Sequence, residues 1–288
     1  MIRQKFIWAL WVLCFLCIRV EARDAAERVR PDKLIEYKKI QEGDPLKLHV
    51  FQPSQVKGEV PCMVFFFGGG WAVGSPVQFY QQADEFRKRG LVTICAEYRV
   101  AKKHKVRPDA CVEDAKSAIR WVRKHAGQLG IDGNKVIAAG GSAGGHLAAC
   151  TAFVRGFEAE GEDLAISSKP NYLVLYNPVL DTTELGYGVE KVKELRQKLS
   201  PVHQVVEGGP PTIVMHGKAD ETVPFENAER FSKVMKEKGN SCTLVPYVGA
   251  AHGFFNSPMF RKKANLEYYK STIEETAEFL DREGLLKP

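Results

Sequence analysis

The sequence is short of the features that mark a metal site, a nucleic-acid surface or a lipid anchor. Beyond residue 22 it contains no Cys-x-x-Cys pair, since Cys14 and Cys17 lie before that point, and no zinc-ligand spacing occurs. The cysteines that remain are Cys62, Cys95, Cys111, Cys150 and Cys242, an odd number. Four of them fall in apolar strand or helix patterns, where cysteine behaves as a small buried hydrophobe. Pairing among them stays open. No cysteine follows a small-residue lipobox, which argues against a lipid anchor. Internal repeats and low-complexity linkers are absent. Lysines and arginines are spread along the predicted helices instead of clustering with aromatics, so nucleic acid is a poor partner.

What is present begins with an unusual N-terminus. Arg3 and Lys5 precede an apolar run, Phe6–Ile18, and Val20-Glu21-Ala22 supplies small residues at cleavage positions. That order predicts a secretory signal peptide over residues 1–22, with an apolar run short for a stable membrane span. Its removal takes away three cations and one carboxylate, so the formal net charge falls from +6 to +4. An excess of that size says little about partners. The remaining residues 23–288, in a chain with 44% hydrophobic and 26% charged content, suit one large α/β domain.

Strand and helix patterns alternate along this domain. Leu34–Ile40 and Leu46–Gln52 read as a leading strand pair. Val60–Phe67, Leu91–Val100, the run around Lys135-Val136-Ile137, Tyr172–Leu180, Pro211–His216 and Thr243–Val248 read as buried strands. Helices are expected over Ser75–Lys88, Pro108–His125, the stretch after Ala143, Pro224–Lys238 and Ala264–Glu283. Solidly apolar strands alternating with helices predict a mostly parallel sheet covered on both faces, with the ligand site at the carboxyl ends of the strands. Asp181–Val206, charged and strand-free, is expected to pass over that edge.

The stretch Ala138–Ala149 reads A-A-G-G-S-A-G-G-H-L-A-A. It places Ser142 on a glycine-flanked strand-to-helix turn, with the helix N-terminus favouring negative charge beside it. A serine hydroxyl needs a base, and His252, in the small-residue loop Gly249–Phe254, is the candidate. His216 closes a strand and is read as structural, and His146 as packing or capping one turn after Ser142. The base in turn needs a carboxylate. Asp220 fits, with Asp181 and Glu221 as competitors. The order Ser142, Asp220, His252 leaves room for one helix and one strand between acid and base. Donors for an oxyanion would be the N–H groups of Ala143, Gly69 and Gly70, the glycines following a strand in Gly68-Gly69-Gly70-Trp71.

On these residues the chain resembles an α/β-hydrolase of the hormone-sensitive-lipase-like esterase branch, over nearly all of its length after residue 22. The resemblance rests on the glycine loop, Glu97-Tyr98-Arg99-Val100, Asp114, Gly141-Ser142-Ala143-Gly144-Gly145 and the Asp220 and His252 loops. It implies a serine carboxylesterase that needs no metal or organic cofactor. Tyr98, Arg99 and Asp114 are expected to form a polar network behind the elbow. Three departures stand out: Phe67 where the branch carries histidine, Gly141 where it commonly carries aspartate, and no long N-terminal cap. The last two, with the leader and Trp71, look more like secreted bacterial carbohydrate esterases that remove acetyl or feruloyl groups from plant polysaccharide.

The expected function is therefore a secreted or periplasmic esterase for short acyl esters, on a small molecule or a polysaccharide, with Phe67 and Trp71 offering apolar faces to substrate. Amide or peptide hydrolysis, as in arylformamidase- or prolyl-peptidase-like relatives, is the alternative. A lipase-like preference for longer acyl chains is another, and a non-catalytic binding module is the reading from a different class.

Overall fold

The computed structural model describes residues 29–41, 43–55 and 58–286. The expected signal segment 1–22 lies outside the described residues. From Pro31 onward the chain builds one eight-stranded sheet in the order β1-β2-β4-β3-β5-β6-β7-β8. The strands are β1 (Lys33–Lys38), β2 (Leu46–Phe51), β3 (Val60–Phe66), β4 (Val92–Ala96), β5 (Ile131–Gly141), β6 (Tyr172–Tyr176), β7 (Thr212–Gly217) and β8 (Cys242–Tyr247). β1 and β2 are antiparallel additions at one edge, and β4, β3, β5, β6, β7 and β8 run parallel. Every residue of β3 and β4 is buried, which requires cover on both faces of the sheet.

That cover comes from α1 (Tyr80–Lys88), α2 (Pro108–Lys124), α3 (Ala143–Phe153), α4 (Glu226–Glu237) and α5 (Leu266–Arg282). α2 packs on α3 and β1, α3 on β5 and β6, and α4 on β8. α2 shows why the apolar spacing folds: Cys111, Val112, Ala115, Ala118, Ile119 and Val122 are all fully buried along one side. Pro108 starts that helix, where its missing N–H has no intrahelical acceptor to lose.

Several boundaries are shorter than the apolar runs predicted. β4 ends at Ala96 because Glu97 turns its carboxylate onto the Lys47 N–H, and the Arg99 N–H is taken by Asp114. β6 stops at Tyr176, since Asn177 adopts φ 32° and Pro178 follows. The stretch 181–206 carries short helical turns at Val189–Val192, Lys193–Leu195 and Pro201–Gln204 and no strand. The five cysteines are all buried and unbonded. Among the described residues, no helix is long and apolar enough to cross a membrane.

Candidate active site

β5 runs directly into α3 through Ser142, whose backbone takes φ 55° and ψ −121°. This is left-handed space that a side chain rarely occupies, and it is sustained by bonds on both sides. The Ser142 N–H donates to the Tyr176 carbonyl at 3.0 Å, and the Ser142 carbonyl accepts from Val179 at 3.2 Å and His146 at 3.0 Å. Around it, side chains are sterically excluded. A Cβ on Gly144 would overlap the Phe66 carbonyl, and one on Gly145 would meet the Pro178 Cβ at 2.7 Å. Gly141 explains itself in the same way: a Cβ there would overlap the Phe255 ring, so the aspartate common in the branch has no room. Phe255 is held in place by stacking on Tyr176 and Phe79.

The three candidate residues meet at the carboxyl ends of their strands. His252 Nε2 lies 2.9 Å from Ser142 Oγ, and His252 Nδ1 lies 2.7 Å from Asp220 Oδ2. Asp220 is almost fully buried in the turn between β7 and α4. Its Oδ1 accepts the N–H groups of Thr222 and Val223, both at 2.9 Å. Burial alone would raise this carboxyl. Hydrogen bonds from His216, His252 and the Val223 N–H overcome it and hold Asp220 well below the usual carboxylate range. Gly253, next to the base, donates to Asn177 Oδ1 at 3.0 Å, which ties the His252 loop to the end of β6.

Gly69 and Gly70 follow β3 with φ of 122° and 60°, conformations open to glycine, and face the same cavity as Ser142. Among the described residues neither N–H has a hydrogen-bond acceptor, and the Ala143 N–H opens α3 ahead of its first intrahelical bond, His146 to Ser142. The cavity has a volume of about 490 Å³. Val73, Gln78, Tyr187, Phe255, Phe260 and Arg261 supply its main side-chain walls.

Comparison with known proteins places the chain in a family. Residues 48–182 match the BD-FAE family model and residues 172–283 the dienelactone hydrolase family model. Among curated proteins, esterase LipC of Mycobacterium tuberculosis is 30% identical over 217 residues, which covers 67% of this chain and 53% of LipC. The chain spans about half the length of the curated relatives it matches. Among solved structures, esterase 2 of Thermogutta terrifontis phosphoramylated by tabun is 45% identical with a TM-score of 0.85, covering 91% of this chain and 98% of that one. The chain belongs to the α/β-hydrolase esterases. The same T. terrifontis enzyme with propionate bound is 46% identical over 89% of this chain and 96% of its own, with a TM-score of 0.83. The glycine loop, the Gly141–Gly145 elbow and the Asp220 and His252 loops keep this esterase with the hormone-sensitive-lipase-like branch.

The esterase corrects the expectation for Phe67 and Trp71. Both are buried, at 3% and 1% exposure, and neither lines the cavity. The Phe67 ring stacks on Tyr98 with centroids 4.1 Å apart. Trp71 donates its indole N–H to His146 Nδ1 at 3.2 Å, and His146 Nε2 reaches the Leu199 carbonyl at 2.7 Å. These aromatics lie behind the glycine loop, and Val73, Tyr187, Phe255 and Phe260 line the cavity instead. His146 thus packs, as expected, and burial pushes its pKa down to about 4 although the Leu199 carbonyl opposes the shift.

The bracing that histidine gives in the wider branch comes here from Gln78, which sequence reasoning missed. Its Oε1 accepts the Gly68 N–H at 2.6 Å, and its Nε2 donates to Asn256 Oδ1 at 2.9 Å. Asn256 in turn donates to the Gly253 carbonyl at 2.8 Å, so one chain of amides joins the glycine loop to the His252 loop. Tyr98 adds a bond from its hydroxyl to the Phe67 carbonyl at 2.7 Å. Arg99 and Lys38 both grip the buried Asp114 carboxylate at 2.8 Å, the polar network expected from the motif. Asp181, the competing acid, is an internal structural group. It pairs with Arg230 at 2.8 Å and accepts from the Thr183 N–H at 2.7 Å. His216 is fully buried and does not reach Ser142, yet its Nε2 lies 3.3 Å from the Asp220 carboxylate and 2.9 Å from the Val223 carbonyl.

Proposed function

We propose that this esterase hydrolyses short-chain acyl esters through Ser142, His252 and Asp220. The observation that carries the reading is the unbroken hydrogen-bonded line from Ser142 Oγ through both ring nitrogens of His252 to Asp220. Ser142 Oγ attacks the ester carbonyl while its proton passes to His252 Nε2. The carbonyl π pair moves onto oxygen, where the N–H groups of Gly69, Gly70 and Ala143 receive it. Collapse expels the alcohol, which takes the proton from His252, and leaves an acyl-Ser142 ester. Water then repeats the sequence and releases the acid. Asp220, held ionised, keeps the Nδ1 proton of His252 in place and balances the imidazolium.

A short acyl group is favoured by what surrounds Ser142. Tyr187 stands over Gly70 with its hydroxyl 2.9 Å from where a Cβ there would lie, and Lys191 bonds that hydroxyl at 2.8 Å. A long chain in this direction would meet a polar wall, and each CH₂ left in water forgoes about 0.8 kcal/mol. The T. terrifontis enzyme solved with propionate and with butyrate bound is in keeping with this size. Residues 1–22 would direct export and residues 23–288 would form the catalytic domain. The open cavity would admit a bulky alcohol such as an acetylated plant polysaccharide. The test is kcat/KM across 4-nitrophenyl esters from acetyl to octanoyl, together with acetate release from acetylated xylan. A maximum between acetyl and butyryl with acetate release supports the proposal. A steady rise to octanoyl with xylan untouched overturns it in favour of a lipase-like esterase.

A further inference from the structure

Among the described residues the cavity around Ser142 contains no aspartate or glutamate in its lining, and its one ordinarily cationic side chain is Arg261. The arginines that stabilise the fold are paired: Arg99 with Asp114, Arg120 with Glu162 and Arg230 with Asp181. Among the described residues Arg261 has no such carboxylate. Its backbone is nevertheless fixed, the Arg261 N–H donating to Ser257 at 2.9 Å and its carbonyl accepting from Ala264 at 2.7 Å. Its Nη1 lies 3.1 Å from the point a Cβ on Gly253 would occupy, so the guanidinium sits beside the residue that follows His252. Lys262 and Lys263 extend the positive charge outward, both exposed. Lys191, outside the lining, brings its Nζ within 3.2 Å of the Cβ position of Gly70. Glu221, which precedes Thr222 of the lining, is exposed, and Glu190 lies 4.0 Å from Lys191.

The two sides of the cavity serve different halves of an ester. The departing oxygen must come within reach of His252 Nε2 to collect its proton, so the alcohol half lies on the His252–Gly253 side. Arg261 is on that side. We propose that Arg261 selects esters whose alcohol half carries an anionic group, a carboxylate above all, by paired hydrogen bonds from its guanidinium. This rests on the assignment of Ser142 and His252 above. In a polysaccharide it describes an ester on, or next to, an acidic sugar.

The experiment compares the acetyl ester of 4-hydroxybenzoate with that of 4-hydroxybenzamide, which differ at the distal group in charge. The full-length protein, Arg261→Gln, Arg261→Lys and Lys262→Gln are each assayed, and the readout is the ratio of kcat/KM for the anionic over the neutral ester. Arg261→Gln lowers that ratio about tenfold, chiefly through KM, as loss of a charge-assisted pair requires. Arg261→Lys falls between, and Lys262→Gln keeps the ratio of the unsubstituted protein. Raising salt to about 0.5 M brings the unsubstituted protein toward Arg261→Gln. A ratio in Arg261→Gln within about twofold of the unsubstituted protein overturns the proposal. So does an equal fall in Lys262→Gln, which would assign the preference to diffuse rim charge. Failure of the underlying esterase reading looks different: both esters would be hydrolysed equally well by Ser142→Ala.

Discussion

Replacing Gln78 by leucine keeps the side-chain volume near that of glutamine and removes both ends of the amide chain joining the glycine loop to the His252 loop. The Gly68 N–H loses its 2.6 Å acceptor and Asn256 loses its 2.9 Å donor. An orphaned, partly buried N–H costs about 1–3 kcal/mol. The loop can relieve that cost by turning Gly68 toward the cavity, which swings the adjacent Gly69 and Gly70 N–H groups off the oxyanion. Complete loss of one oxyanion donor lowers kcat by about 10²–10³, so a partial misalignment is expected to lower kcat about 10- to 100-fold. KM should change by less than about threefold, because the ester carbonyl carries little charge before attack. Gln78→Glu still accepts from Gly68 and should fall between Gln78→Leu and the unsubstituted protein. Steady-state kinetics on 4-nitrophenyl acetate, with thermal unfolding followed in parallel, decide the matter. If Gln78→Leu keeps kcat within about twofold at an unchanged melting temperature, the amide chain does not support the oxyanion loop.

Asp220→Asn should lower kcat by about 10⁴, the scale for a lost tautomer-setting carboxylate, whereas Asp181→Asn should chiefly lower the melting temperature; the reverse ranking in kcat would move the acid to Asp181. Gly141→Asp should leave the protein unfolded or in inclusion bodies because its Cβ falls inside the Phe255 ring, and Gly141→Asp with Phe255→Ala should regain soluble protein; equal solubility of both variants contradicts this. Unfolded His146 takes up a proton below about 6.5, but buried in the fold it does so only near 4. Its contribution is therefore fully present above 6.5 and lost as pH drops through that window, by about 2 kcal/mol between pH 7 and 4.5. Urea unfolding at the two pH values should show that loss to be smaller in His146→Gln, and parallel losses would refute it.

Much of the site was legible because its chemistry is written in local patterns. A β-branched run, five small residues around Ser142 and a following helix can fold only as a tight strand-to-helix turn, and the turn is where expected. Asp220 and His252 were readable because each sits in a small-residue loop just beyond a strand, and parallel strands bring such loops to one edge. What stayed hidden depends on contacts distant in sequence. Phe67 and Trp71 beside the glycines resemble an open aromatic platform, but Tyr98 and His146 bury them, 31 and 75 residues away. Gln78 carries no local signal for its role. It reaches Gly68 only because the chain turns through a short helical segment at Pro76–Phe79, and Asn256 lies 178 residues beyond it. Strand ends were overextended for a related reason. Apolar residues resume beyond Ala96 and Tyr176, at Tyr98 and Val100 and at Val179 and Leu180, but the breaks are set by Glu97 and Asp114 and by the backbone of Asn177.

The central claim, that Ser142 is the nucleophile activated by His252, is tested most directly by covalent labelling. The T. terrifontis enzyme has been solved phosphorylated by paraoxon, and the same reagent can be offered to this esterase. Intact-mass and peptide-mapping spectrometry should find one phosphoryl group on the peptide containing Ser142, with loss of ester turnover in step. Ser142→Ala should take up none, and His252→Gln should label far more slowly. Labelling on another residue, or labelling and turnover that persist in Ser142→Ala, would contradict the account.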